Sequence, residues 1–142
     1  MTNSFLPLFK LGLNPYGMTY YLGLQGRGTT RQNPNGTGLE GFLQIAEELG
    51  AKSLEIFDPW LQEFSGNEFQ SLKDHLNHRG ITPVISGGYI LEETGHVFRS
   101  AQLLEAKTIR FALTNVLCGE RAFRTDWNEL RHAVRKKILE FG

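Results

Sequence analysis

Cysteine is almost absent from this 142-residue chain, and so is any excess of charge. The one cysteine, Cys118, can close no internal disulfide, and a lone thiol builds no CxxC metal site. Lys plus Arg number 15 and Asp plus Glu number 15, so no basic surface exists to hold a nucleic-acid backbone. No apolar run is long enough to span a bilayer. Residues 1–7 lack the basic start and sustained apolar stretch of a secretory signal, so a cytoplasmic protein is the expectation. Also missing are an HExxH pair, a Ser-His-Asp order and paired carboxylates at a shared strand end. Glycine, by contrast, is abundant: 16 residues, concentrated before Gly41 and at element ends, where turns need them.

What the chain does have is a unit that recurs four times. An opening strand, LFKLGLN (8–14), is followed by three passages from an amphipathic helix into an apolar strand: EELGAKSLEIF (47–57), LNHRGITPVIS (76–86) and LLEAKTIRFAL (103–113). A fourth helix ends at Phe141, with Gly142 in the place that Gly50 and Gly80 hold before their strands. Strands alternating with helices of ~10–15 residues read as βαβ units around a parallel sheet. The expectation is one α/β domain over 1–142. It is a (βα)4 half of a (β/α)8 barrel, with the first strand at 8–14, a long loop at 15–36, three further βα units and the helices outside.

The helix starts are well signalled. Thr37, Ser65 and Asp126 are each followed three positions later by Glu, at Glu40, Glu68 and Glu129. Apolar stripes follow at helical spacing: Leu39, Phe42, Leu43, Ala46 and Leu49; Phe69, Leu72 and Leu76; Val97, Phe98, Ala101 and Leu104; Trp127, Leu130, Val134, Ile138 and Phe141. The strands SLEIF (53–57), TPVIS (82–86) and TIRFA (108–112) are short and mostly apolar, as parallel strands covered by helices are. Pro83 is tolerable only near a strand's start.

A weak internal repeat aligns AKSLEI (51–56) with AKTIRF (106–111), so Glu55 on the second strand matches Arg110 on the fourth. Alternate strands of a barrel contribute to the same interior layer. If both side chains point inward they meet as an ion pair; otherwise each faces a helix or solvent.

Chemistry in (βα)n folds gathers at the C-terminal ends of the strands. The residues there are Asn14, Tyr16 and Tyr20; Glu55, Asp58 and Trp60; Ser86 and Tyr89; and Thr114, Asn115 and Cys118. Loop 15–36 exceeds the usual ~2–6 residues of a βα connection. Its aromatic half (16–24) argues for packing and its polar half (26–36) for a mobile lid. Tyr and Trp beside polar groups suit a polyhydroxylated ligand. The run from Gly36 to Gly41 matches G-x-G-x-x-G, yet more than twenty residues separate it from the first strand, where a dinucleotide fingerprint follows directly. His75, His78, His96 and His132 lie on helices or helix starts, and His75 with His78 reads as solvated surface. Cys118 has no identified base, and Arg131, Arg135, Lys136 and Lys137 read as a solvated helix face.

The run from Lys10 to Asn14, the long first loop, LEGF (39–42), AEELGAKSLEIF (46–57), LKDHL (72–76) and GITPV (80–84) resemble the xylose isomerase-like TIM barrels, the sugar isomerase and epimerase group. NPYGMTYYLGLQGRGT (14–29) is similar to a branch linked to deglycosylation of C-glycosides. The resemblance implies a sugar substrate, metal-assisted proton transfer and a divalent Mn or Mg in the complete barrel. The family's metal ligands come from strands five to eight, so no metal is expected in this chain alone and its catalytic residues are unknown. It also implies that Asn14, Glu55, Trp60 and Ser86 touch sugar or support the metal shell, and Tyr16 and Tyr20 of the aromatic loop complete the expected substrate-binding set. The chain is then expected to be incomplete alone, a truncation or one half completed in a homo-oligomer or by a complementary half-barrel chain, with no nucleic-acid or membrane partner. The alternatives are a non-catalytic sugar-binding or partner subunit, and a flavodoxin-like domain with helices on both sheet faces.

Overall fold

The computed structural model describes residues 10–26, 28–90, 92–113 and 127–141. Four strands, β1 (Gly12–Leu13), β2 (Ser53–Phe57), β3 (Thr82–Tyr89) and β4 (Thr108–Ala112), alternate with helices α1 (Gly38–Glu48), α2 (Gly66–Arg79), α3 (Gly95–Leu103) and α4 (Trp127–Phe141). All pairings are parallel and the sheet order is β1-β2-β3-β4. Parallel crossovers are right-handed, so strands added in sequence order place every helix on the same face. A doubly wound domain needs a reversal of order, and there is none. The architecture is a half barrel.

Burial follows the pleat. Leu54 and Ile56 on β2 and Ile85 on β3 are fully buried against the helices, while Ser53, Glu55 and Phe57 between them remain partly open on the concave side. Phe42, Ala46, Leu76 and Val97 complete the outer core. No helix among the described residues is long and apolar enough to cross a membrane.

The first strand is shorter than the 8–14 expected. Residues 10, 11 and 14 lie outside it, and residues 8 and 9 lie outside the described region. Asn14 ends it: its side-chain oxygen accepts from the Tyr16 N–H at 3.1 Å and opens a 3-10 turn, Pro15–Met18, in which Pro15 has no N–H to give a ladder. β3 runs three residues beyond the expected end. Gly87 lies directly under Phe111, so that a Cβ there would stand 2.5 Å from the ring, and the pairing with β4 is irregular between Ser86 and Tyr89.

Ser65 and Glu68 form the full capping box of α2, and Gly80 ends that helix in the left-handed conformation at φ 63°. Thr37 precedes α1 without a side-chain cap, and Asp126 lies outside the described residues. His75 keeps 40% of its side chain exposed and also reaches the neighbouring helix. Its Nε2 stands 2.6 Å from Glu47 Oε1 on α1, and Arg79 Nη2 is 2.8 Å from the other Glu47 oxygen.

The polar half of the long loop folds back on the aromatic half. Gln32 Nε2 donates to the Gly23 carbonyl at 3.0 Å, Asn33 Nδ2 to the Tyr20 carbonyl at 3.1 Å, and the Thr37 N–H to the Tyr21 carbonyl at 3.1 Å. This closure explains the G-x-G-x-x-G pattern. A Cβ on Gly36 would lie 2.4 Å from the Gly23 Cα, and one on Gly41 2.2 Å from Thr37 Oγ1. The glycines allow close backbone approach within the loop and at the start of α1.

Gly36→Ala is therefore expected to destabilise the fold by about 1–3 kcal/mol in urea titration. Gly17→Ala, with nothing within 4 Å of the new carbon, should stay within about 1 kcal/mol of the parent. The Ser65 hydroxyl, then its N–H, hold the Glu68 carboxyl below the usual carboxylate range. A group with a lowered folded pKa stabilises above its unfolded value, and that contribution is lost as pH falls through the folded one. The stability gap between the parent and Glu68→Gln should thus be present at neutral pH and close below about pH 4.

Candidate functional site

The concave side of the sheet carries Glu55, Ser86 and Arg110 on three successive strands, with Ser86 and Arg110 in direct register. Arg110 Nε donates to Glu55 Oε1 at 2.8 Å, and Nη2 donates to Ser86 Oγ at 2.7 Å. A second bond from Nη2 goes to the Tyr16 hydroxyl, whose ring centroid lies 4.9 Å from the guanidinium carbon. Tyr16 is delivered by the turn that follows β1. Strands β2, β3 and β4 and the turn after β1 therefore each send one group to the same point.

Ser86 is fully buried, Glu55 keeps 14% of its side chain exposed and Arg110 37%. Burial opposes the charge on Arg110, but the hydrogen bonds to Glu55 and Tyr16 outweigh it and lift its pKa above the ordinary arginine value. The guanidinium is a fixed cation whose charge is balanced by a neighbouring carboxylate. Beside it a cleft of about 180 Å³ is lined by Pro15, Tyr16, Thr19, Leu24 and Phe57. A larger groove of about 550 Å³ lies on the outer surface between α1 and α2 and involves no strand end.

A second polar cluster sits behind β2. Asp58, 1% exposed, accepts from Ser100 Oγ at 2.9 Å through one oxygen, and its other oxygen is 2.8 Å from His96 Nε2. His96 Nδ1 is 3.0 Å from Glu93. The Gly95 N–H, and then His96, hold the Glu93 carboxyl below the usual range. These contacts tie the turn after β2 to α3.

Of the six residues expected to bind substrate, Tyr16, Glu55 and Ser86 converge on Arg110. Asn14 instead caps the turn that presents Tyr16. Tyr20 is exposed on the long loop and lends its carbonyl to Asn33. Trp60 packs its ring 5.9 Å from Phe42 and 6.2 Å from Phe57, within the aromatic part of the core. Thr114, Asn115 and Cys118 lie outside the described residues. Arg110, the centre of the cluster, was absent from the sequence-based site and visible only as the repeat partner of Glu55. The Asp58–His96–Ser100 set left no spacing signal, since Asp58 lies some forty residues before the other two.

Among the described residues no three His, Cys, Asp or Glu side chains come together to hold a metal ion. The Mn or Mg implied by the resemblance does not fit the groups present.

No protein-family model matches this chain, and no curated protein matches its sequence. Among solved structures it is similar to D-psicose 3-epimerase from Clostridium cellulolyticum H10, determined with D-tagatose. The TM-score is 0.62 at 16% identity, over 92% of this chain and 48% of that one. A D-psicose 3-epimerase determined in the presence of D-fructose gives a TM-score of 0.60 at 15% identity, over 94% and 48%. The chain thus spans about half the length of the solved structures it matches. The likeness shows the fold, half of a (β/α)8 barrel.

The Glu55–Arg110 contact is tested by exchanging its charges. Glu55→Arg and Arg110→Glu should each destabilise, and the double variant should recover about 1 kcal/mol in chemical denaturation, a magnitude set by the partial exposure of the pair.

Proposed function

We propose that this chain is the substrate-binding half of a sugar isomerase- or epimerase-type barrel, acting on a sugar or sugar derivative when a complementary half closes the structure. The observation that carries the reading is the convergence of Glu55, Ser86 and Tyr16 on Arg110. A sugar hydroxyl both donates and accepts. The cluster supplies a guanidinium that only donates, a carboxylate that only accepts, and two hydroxyls that do either. The Tyr16 and Phe57 rings beside the cleft suit the apolar face of a pyranose or an open-chain sugar.

Proton transfer between neighbouring carbons needs an acid or base within hydrogen-bond reach of the reacting carbon. Among the described residues Glu55 is the carboxylate that faces the cluster, and Arg110 orients it. The resemblance places the metal ligands on strands five to eight, so a complete barrel would draw the ligands for its Mn or Mg from the complementary half. The sugars in the related structures, D-tagatose and D-fructose, make ketohexoses the first ligands to try.

Titration calorimetry of the chain with each ketohexose should give dissociation constants on the order of 1 mM, as fits a partial site. Arg110→Ala should weaken binding by roughly tenfold, the loss expected for a charged donor. Equal binding by parent and variant, or no heat from the parent, overturns the reading.

A further inference from the structure

Under the long loop lies a space of about 560 Å³, three times the volume of the cleft beside Arg110 at about 180 Å³. The two adjoin. Leu24 lines both, and the Phe57 ring on the wall of the cleft meets the Trp60 ring on the wall of the larger space edge-on at 6.2 Å. A ligand that fills the cleft and continues past Leu24 has the larger space next to it.

The lining of this space differs in chemistry from the Arg110 cluster. Among the described residues that form it there is no Asp, Glu, Lys, Arg or His. A phosphate, carboxylate or amine would give up water there with no counter-charge to meet it. Apolar surface comes from Leu22, Leu24 and Trp60, whose ring is braced by Phe42 at 5.9 Å. Polar surface comes from Thr29, Gln32 and Asn33.

The loop's own backbone fixes both carboxamides. Gln32 Nε2 donates to the Gly23 carbonyl at 3.0 Å, and its Oε1 accepts from the Gly28 N–H at 2.8 Å. Asn33 Nδ2 donates to the Tyr20 carbonyl at 3.1 Å, and its Oδ1 accepts from the Asn35 N–H at 3.0 Å. Each carboxamide has a second N–H and a second lone pair, so it can give to one hydroxyl and accept from another without moving. An indole beside such groups suits a ring with an apolar face and hydroxyls at its edge.

We propose that the space under the long loop is a second subsite, taking a neutral hydroxylated ring: a further sugar unit joined to the sugar held at Arg110. The substrate class is then a ketohexose that carries a second sugar. This deepens the proposed function and rests on that reading.

Lactulose, a galactose joined to fructose, is the probe, with D-fructose as the single-ring reference. In titration calorimetry of the intact chain, lactulose should bind about tenfold more tightly than D-fructose. The chain has two tryptophans, so Trp127→Phe leaves Trp60 as the sole indole, and its emission should shift as lactulose saturates, beyond any change that D-fructose produces. Trp60→Phe, which keeps a ring in place, should cut the preference for lactulose over D-fructose by roughly fivefold. Each variant is checked for native circular dichroism. D-Fructose binding with lactulose no tighter overturns the subsite alone. Phenyl β-D-glucopyranoside binding more tightly than lactulose overturns the choice of a hydroxylated ring. Lactulose that shifts Trp60 while Arg110→Ala leaves its affinity unchanged keeps the subsite and overturns the proposed function, and no binding of either sugar overturns both.

Discussion

A guanidinium on the concave side of a sheet must be given acceptors, and the path of this chain around Arg110 supplies them. Glu55 balances its charge from two strands away. Ser86 lies beneath it in register, where the side chain must be small enough to fit and polar enough to accept. Tyr16 reaches the same group from the end of β1 only because Asn14 and Pro15 stop the strand and turn the chain over the sheet. The short first strand and the polar inner layer are thus consequences of one charge. An arginine left without these partners would be an uncompensated charge in a partly desolvated place, which is far more costly than the pair is favourable.

The two sides of the sheet solve different problems. Leu54, Ile56 and Ile85 face Phe42, Leu76 and Val97, and this layer is closed by the chain's own helices. The concave layer is lined by Ser53, Glu55, Ser86 and Arg110, which tolerate water. A half barrel with an apolar interior would expose a large greasy face, the liability that makes isolated halves aggregate. Here the exposed apolar side chains are spread over the long first loop, at Tyr16, Tyr20 and Tyr21, and the flanks of the sheet, at Leu11, Leu113, Ile138 and Leu139. The sheet and its helices form a two-layer body whose inner surface is already wetted.

The fold was legible because helical and strand periods alternate cleanly. β2 and β4 fall where the apolar runs lie, α2 begins at its capping box, and Pro83 sits at the second residue of β3 as its missing N–H allows. Periodicity fails where glycine carries no pattern. The extension of β3 through Gly87 and Gly88 is set by the Phe111 ring above, a contact between residues more than twenty apart. The site was half legible. Glu55 and Arg110 were linked by the repeat, and Ser86 and Tyr16 by their place at strand ends. Trp60 packs beside Phe42 and Phe57 and also lines a space under the long loop, so an aromatic residue at a strand end serves a core and a cavity wall alike. Asp58, His96 and Ser100 meet through tertiary packing alone.

Placing the central residue of the cluster on an edge strand has a physical consequence. Whatever lies beyond β4 sets how much water reaches Arg110, and with it the strength of every hydrogen bond that Arg110 makes. In the open sheet the guanidinium is 37% exposed, so its pairing with Glu55 is screened and modest. Closing the sheet beside β4 would remove that water. Such a step is ordinarily unfavourable for a charge, since desolvation exceeds the attraction regained unless geometry and hydrogen bonds are already in place. In this chain they are in place before closure: Nε is on Glu55, and Nη2 is on Ser86 and Tyr16. Closure would therefore strengthen a preorganised network without burying an unpaired group, which couples completion of the barrel to the electrostatics of its interior through a single side chain.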